Sequence, residues 1–329
     1  MVSGIPWTVN YSDNRQLTTA MWDVLGLGCA AIDDLLYVPA YPAPDSKMQV
    51  RRKERHCGGL TATALVAAAR LGSRCAFAGA LGDDDLSRVV LDRFAREGID
   101  TRYMRRRPDA RPAHAVIIVD ESQQTRTILA SLEGCFGAEP DWPEEEVLRA
   151  CRVLFVDHIG IPGMTRAARV AREAGIPVVA DLEKDEDPGF GGLVALVDHL
   201  IVSQDFAAKL TGQSDPAQAT RRLWTPERQV AAVTCGAQGC WFVAADDPGR
   251  PRHQSAFPVE VVDTTGCGDV FHGAYASALA RGLDVAGRIR FAAAAAALKA
   301  TQPGGQLGIP TRPVVEAFLN RVSQAGEGQ

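Results

Sequence analysis

Strand-length apolar runs alternate with helix-length patterns along nearly the whole chain, and this rhythm restricts the possible folds more than any other feature. Trp22–Leu27 is an apolar run closing in Gly26-Leu27-Gly28. Leu60–Leu71 is alanine-rich with helical spacing and stops at Gly72; Cys75–Ala80 then reads as a strand, and Leu86–Glu97 as a helix stopped by Gly98. Val153–Val156, Pro177–Asp181 and Leu200–Val202 read as strands, with a Thr165–Ala174 helix stopped by Gly175. Val230–Thr234 and Cys240–Ala244 read as strands around a turn, and Val270–Arg281, Ala286–Ala300 and Arg312–Val322 as helices. Strands alternating with helices of roughly 10–15 residues predict parallel βαβ units, hence an α/β fold with a doubly wound, mainly parallel sheet flanked by helices.

Two segments break the rhythm. Residues 35–57 and 112–131 carry alternating strand patterns, such as Ala115-Val116-Ile117-Ile118-Val119 and Arg126-Thr127-Ile128-Leu129, with no helix between them. They read as excursions from the main sheet. The 329 residues, 46% hydrophobic and 23% charged, suffice for one large core. The net charge of −5 speaks against a general nucleic-acid surface. Eight cysteines are scattered without a Cys-x-x-Cys pair, which fits a reduced, cytoplasmic interior better than a disulfide framework or a zinc site. No run approaches the roughly 18 apolar residues of a membrane span. Residues 1–21 lack the apolar core of a signal peptide and are expected to form a disordered leader ahead of one folded domain, 22–329.

Residues 263–273 read Asp-Thr-Thr-Gly-Cys-Gly-Asp-Val-Phe-His-Gly and lead into the apolar stretch 274–280. Small residues in a tight turn leave backbone amides unhindered, and the following helix adds its free first-turn amides and the positive end of its dipole. A carboxylate, Asp269, stands at the mouth of this anion pocket. Donors for a moving phosphoryl group beside a base for a hydroxyl proton are what phosphoryl transfer requires. A plain helix cap is the alternative, and the Asp263-Thr264-Thr265 lead argues against it.

This segment resembles the signature of the PfkB/ribokinase family of ATP-dependent sugar and nucleoside kinases, Asp-Thr-x-Gly-x-Gly-Asp at a helix start. The resemblance spans about residues 23–319. It implies a ribokinase-like fold in which segments 35–57 and 112–131 pair into a small β-sheet lid, often used for dimerisation. It implies Asp269 as catalytic base and the amides of Gly266, Cys267 and Gly268 as the anion hole. Cys267 departs from the usual alanine but keeps its amide. Gly26-Leu27-Gly28 fails as a dinucleotide fingerprint because the third glycine and the helix are missing, which counts against a dehydrogenase. The acid five residues after Gly28, Asp33, matches the family's sugar-binding aspartate; Asp34 alternates to the other, solvated face. Cys57-Gly58-Gly59-Leu60-Thr61-Ala62-Thr63-Ala64 is similar to Gly-Gly-x-x-x-Asn-x-Ala, so Gly58 and Gly59 are expected at the substrate, with Thr63 in place of the asparagine.

Thr234-Cys235-Gly236-Ala237-Gln238-Gly239 matches the family's Thr-x-Gly-x-x-Gly nucleotide loop. The resemblance thus implies ATP contacts at Thr234, Gly236, Gly239, Thr265, Gly266 and Gly268, and a wall of small residues, 292–300, beside the adenine. No Walker-type Gly-x-x-x-x-Gly-Lys-Ser/Thr is present. Ser203 and Phe206 replace the Asn and Glu of an Asn-x-x-Glu motif, so the usual metal-linked regulation is not expected, while Mg²⁺ is expected to arrive with the nucleotide. Asp263 and Thr265, with the later Gly304-Gly305 turn, match places where some members bind a monovalent cation such as K⁺. Lys47, Arg51, Arg52, Lys53 and Arg55 read as a charged sheet edge, or, for Lys47, as a contact to an anionic substrate. Lys47, Thr63 and Ser203 together resemble the sulfofructose-kinase-like branch, although Ala130 and Ile159 stand where its other polar residues belong. The partners expected are a small sugar and ATP, with a homodimer through the lid. A nucleoside kinase, which would need an aromatic clamp from Tyr37, Tyr41 or Tyr103, and a non-catalytic binding module are the alternatives.

Overall fold

A computed structural model describes residues 21–123 and 125–327. The expected leader therefore lies outside the described residues, apart from Met21. In chain order the strands are β1 Trp22–Leu27, β2 Ala31–Val38, β3 Arg52–Gly58, β4 Cys75–Phe77, β5 Ala80–Leu81, β6 Arg105–Arg106, β7 Ala113–Asp120, β8 Thr125–Ser131, β9 Cys151–Val156, β10 Val178–Asp181, β11 His199–Ser203, β12 Val230–Thr234, β13 Cys240–Ala244 and β14 Asp247–Gln254. The helices are α1 Leu60–Arg70, α2 Asp85–Arg96, α3 Glu145–Leu148, α4 Ile161–Glu173, α5 Phe190–Val194, α6 Gln204–Thr211, α7 Pro216–Leu223, α8 Cys267–Ala280, α9 Val285–Ala300 and α10 Arg312–Glu327.

The main sheet runs β14-β13-β12-β11-β10-β9-β1-β4. It is parallel from β4 to β12 and antiparallel at β12–β13 and β13–β14. Its strands are apolar on both faces because both faces are covered. On β9, Val153 and Phe155 enter the core shared with α1, α8 and α9, while Leu154 and Val156 enter the core beneath α4 and α5. α8 lies directly against α1, where a Cβ on Gly273 would stand 2.1 Å from the Ala64 carbonyl oxygen. The expected Cys75–Ala80 strand is divided: β4 stays in the main sheet, and β5 leaves it to pair with β6.

The two excursions form a separate sheet in the order β3-β2-β7-β8. β2 and β7 are parallel, with Asp33 opposite Ala115, and β2 and β3 are antiparallel, with Asp33 opposite His56. Strand alternation puts Asp33, Leu35 and Tyr37 on one face, over a cavity. Asp34 is on the other face, but it is not merely solvated: Arg55 holds it bidentately at 2.6 and 2.8 Å, and His114 Nε2 lies 2.9 Å from it. Arg52, Lys53 and Arg55 of the basic run lie on β3, an edge strand, and Arg51 just ahead of it; the run pairs with acids, as in Arg51–Glu121 and Arg52–Glu54.

Candidate active site

In an open parallel sheet, ligands collect beyond the carboxyl ends of the strands, where the strand order reverses. Here the reversal falls between β1 and β9. Beyond β9, the buried Asp157 accepts from the Cys29 amide at 2.8 Å, the Ile159 amide at 2.7 Å and the Thr61 hydroxyl at 2.8 Å. Gly28 is required there, because a Cβ would stand 2.1 Å from both Asp157 Oδ2 and Thr61 Oγ1. Gly59, at φ +93°, caps α1 with its Cβ direction closed off by the Ala30–Ala31 backbone at 2.7 Å. Gly58 lies against Asp33, whose Oδ2 a Cβ would meet at 2.9 Å.

The Asp263–Asp269 turn is the meeting point of three cavities. The first, about 530 Å³, is bordered by Thr234, Gly236 and Gly239 on one side and by Ala293, Ala296, Ala297 and Ala300 of α9 on the other. The expected nucleotide loop and small-residue wall thus face one another across one space, with Thr264, Cys267 and Gly268 at its end. The second, about 850 Å³, lies under the lid sheet and is bordered by Asp33, His56, Arg126, Thr265 and Gly304. The third, about 390 Å³, contains Asp269 together with Gly59, His158, Glu183, Lys184 and Gly266.

The turn is built by Asp263, whose Oδ1 accepts from the Thr265 amide and whose Oδ2 accepts from the Gly304 amide, both at 2.8 Å. Gly266 follows in the left-handed region at φ +75° as the N-cap of α8. The Cys267 amide, expected to face an anion, donates instead to the Thr264 carbonyl at 3.1 Å, because that bond closes the turn. The amides of Gly266, Gly268 and Asp269 have no acceptor among the described residues. Thr265, expected at the nucleotide, borders the lid cavity instead, and its hydroxyl accepts from Arg126 at 2.7 Å.

Charge concentrates behind this turn. Burial, together with the negative charges of Asp181 and Glu183, pushes the Asp269 carboxyl well above the usual carboxylate range. Burial does the same to Asp181, reinforced by Glu183 and Asp157. His272, one helical turn after Asp269, is buried among them. Its Nδ1 lies 2.8 Å from the Gly268 carbonyl and its Nε2 3.0 Å from the Ile201 carbonyl. Each ring nitrogen thus faces a carbonyl acceptor. Asp181 Oδ2 is 3.2 Å from Nδ1 but makes no hydrogen bond, since that N–H points at Gly268. Across the lid cavity, burial raises the Asp33 carboxyl above its ordinary value in spite of His56, His114 and Arg126.

Several expected residues do not meet the cavities. Thr63 is buried inside α1, and its hydroxyl accepts from Gln306 at 3.1 Å. Lys47 is exposed on the β2–β3 connection and borders none of the three spaces. Ser203 caps α6 by accepting from the Phe206 amide, and Phe206 packs edge-on against Phe190. At the expected monovalent-cation residues a cation would compete with protein donors: both Asp263 carboxylate oxygens and the Thr265 hydroxyl accept hydrogen bonds, and the Asp263 carbonyl accepts from Lys299 Nζ at 2.8 Å. Of the three tyrosines a nucleoside clamp would use, Tyr37 alone borders the lid cavity, with the Arg52 guanidinium over its ring; Tyr103 packs on Trp22.

The model of the pfkB family carbohydrate kinases matches residues 24–312. The chain belongs to the pfkB family of ATP-dependent carbohydrate kinases. Family relatives include the ribokinase of Haemophilus influenzae, 29% identical over 305 residues and covering 89% of this chain and 97% of that protein. The fructokinase of Vibrio alginolyticus is 25% identical over 284 residues, 80% of this chain and 92% of its own. The solved ribokinase of Arabidopsis thaliana, complexed with ribose and ATP, superposes with a TM-score of 0.81 at 24% identity, covering 91% of this chain and 98% of that one. That likeness speaks for the fold alone. Among the described residues of this pfkB-family chain, no helix is long and apolar enough to cross a membrane.

Proposed function

We propose that the chain transfers the γ-phosphate of ATP to a primary hydroxyl of a small sugar. The observation that carries this reading is the single turn bordering all three cavities, with Asp269 and the free amides of Gly266 and Gly268 at the junction. ATP lies between the Thr234–Gly239 loop and the alanine face of α9, its γ-phosphate toward the α8 amides. Those amides and the helix dipole stabilise the charge that spreads over the phosphoryl oxygens. The sugar lies between Asp33 and Asp269, and a carboxylate at each end can accept hydroxyl protons in hydrogen bonds. Asp269 takes the proton of the attacking hydroxyl; its raised proton affinity suits a base that must hold that proton until product leaves. His272 lowers the proton affinity of Asp269 and, between the Gly268 and Ile201 carbonyls, ties the first turn of α8 to β11.

Among the described residues no group of three or more His, Cys, Asp or Glu is placed to hold a metal ion by itself, so Mg²⁺ would arrive on the nucleotide, where Asp181 Oδ2, buried without a hydrogen-bond donor, is an oxygen open to it. When bound with the nucleotide, the ion supplies charge neutralisation to the phosphates. A cytoplasmic location is supported by eight free cysteines. A homodimer through the lid is supported by Ile128 and Leu129, more than half exposed on edge strand β8.

A coupled ADP-release screen over pentoses, hexoses and ketoses, with adenosine and inosine as comparators, tests the reading. Sugar-dependent release supports it. Release with a nucleoside and none with any sugar overturns the substrate class, and no acceptor-dependent release overturns the activity.

A further inference from the structure

Lys299 is fully buried, at 0% exposure, on the last turn of α9. Lysines are almost never buried this completely unless paired. A lysine near a helix C-terminus ordinarily reaches into water while easing the dipole. This one turns inward, and Nζ donates to the carbonyl oxygen of Asp263, the first residue of the turn that carries the free amides. The same turn is tied to α9 a second time, because the Val262 and Asp263 amides both donate to the Ala300 carbonyl. Burial lowers the proton affinity of the Lys299 amine, and Arg126 acts in the same direction; Cys267, Asp263 and Asp269 oppose them.

We propose that the Lys299 ammonium is a built-in replacement for a monovalent cation, fixing the anion-binding turn so that the chain needs no K⁺. An ion there would compete with protein donors for the Asp263 carboxylate oxygens, the Asp263 carbonyl and the Thr265 hydroxyl, each of which already accepts a hydrogen bond. The ammonium brings one positive charge to that place and carries it on the helix that forms the small-residue wall of the first cavity. Charge beneath the turn and the shape of the wall are therefore fixed by one side chain.

The test compares KCl with tetramethylammonium chloride at equal ionic strength, reading both the melting temperature and sugar-dependent ADP release. For the wild type both readouts are expected to be the same in the two salts. A saturable rise in melting temperature with K⁺, or an activation of about tenfold or more, overturns the proposal. The rate arm rests on the sugar-kinase reading; the melting arm does not, so a chain without kinase activity still answers the question. In Lys299→Ala, the release rate is expected to fall at least about tenfold in tetramethylammonium, the scale of one lost charge contact, and to recover with K⁺ or NH₄⁺. A variant as active as the wild type without those ions overturns the proposal. Should Lys299→Ala not fold, the wild-type comparison decides alone.

Discussion

Replacing Asp269 by Asn separates catalysis from stability in one variant. The two side chains have the same shape, but the amide cannot accept a proton. Removal of a positioned base costs roughly 10²–10⁴ in rate, or about 2.7–5.4 kcal/mol of transition-state stabilisation. Stability should move the other way. In the folded chain the carboxylate is burdened by burial and by Asp181 and Glu183, so its proton affinity exceeds that of the unfolded chain. Its contribution to stability is present at pH below the unfolded-state pKa and is lost as pH rises through the raised folded-state value. At neutral pH the ionised form is thus a liability that Asn removes. Asp269→Asn is expected to lose the rate while its melting temperature stays the same or rises, and wild type and variant should converge in stability on acidification. The assays are coupled ADP release at saturating sugar and thermal melts from neutral to mildly acidic pH. Turnover within about threefold of wild type would refute the base assignment, since a lost base costs far more. A large drop in melting temperature would refute the electrostatic reasoning.

Three further outcomes follow from the geometry. The acid limb of kcat/KM should reflect Asp269, with activity falling as pH drops through its raised pKa; His272→Leu, which removes the side chain that lowers it, is expected to move that limb to higher pH, and an unmoved limb counts against this coupling. Gly273→Ala should destabilise by about 1–3 kcal/mol in chemical denaturation, because its Cβ would press on the Ala64 carbonyl, whereas Gly268→Ala, with nothing within 4 Å, should unfold as the wild type does. His199 is buried beside the Tyr275 hydroxyl at 3.0 Å, and burial pulls its pKa down to about 3. The unfolded chain takes the proton first, so stability should fall by about 1.4 kcal/mol per pH unit below 6.5, and His199→Gln should flatten that slope in urea titrations at stepped pH.

The main sheet was legible because its buried strands are near-continuous apolar runs and its helices end at glycines. β14 was not: its sequence, Asp-Pro-Gly-Arg-Pro-Arg-His-Gln, has no apolar alternation, and an edge strand needs none. α7 carries a readable start, Asp215 as cap and Pro216 at the first helical position. At the site, local motifs placed the Thr234–Gly239 loop, Gly59 and Asp269 around common spaces, because each is a turn with its own backbone demand. His56 and Arg126 came from elsewhere. Their approach to Asp33 and Thr265 depends on strand register and lid position, which no local pattern encodes. Asp157 and Asp181 did leave a signal: an acid at the carboxyl end of each of two parallel strands. Lys299 left one as well, a cation inside an otherwise apolar helix face.

The most direct test of the central claim is the ³¹P spectrum, coupled to protons, of the product made from ATP and the best sugar of the screen. The expected product is a phosphomonoester split by two protons of one CH₂–O group, appearing in step with ADP. Phosphate coupled to a single ring proton, a phosphorylated nucleoside, or inorganic phosphate alone would contradict it.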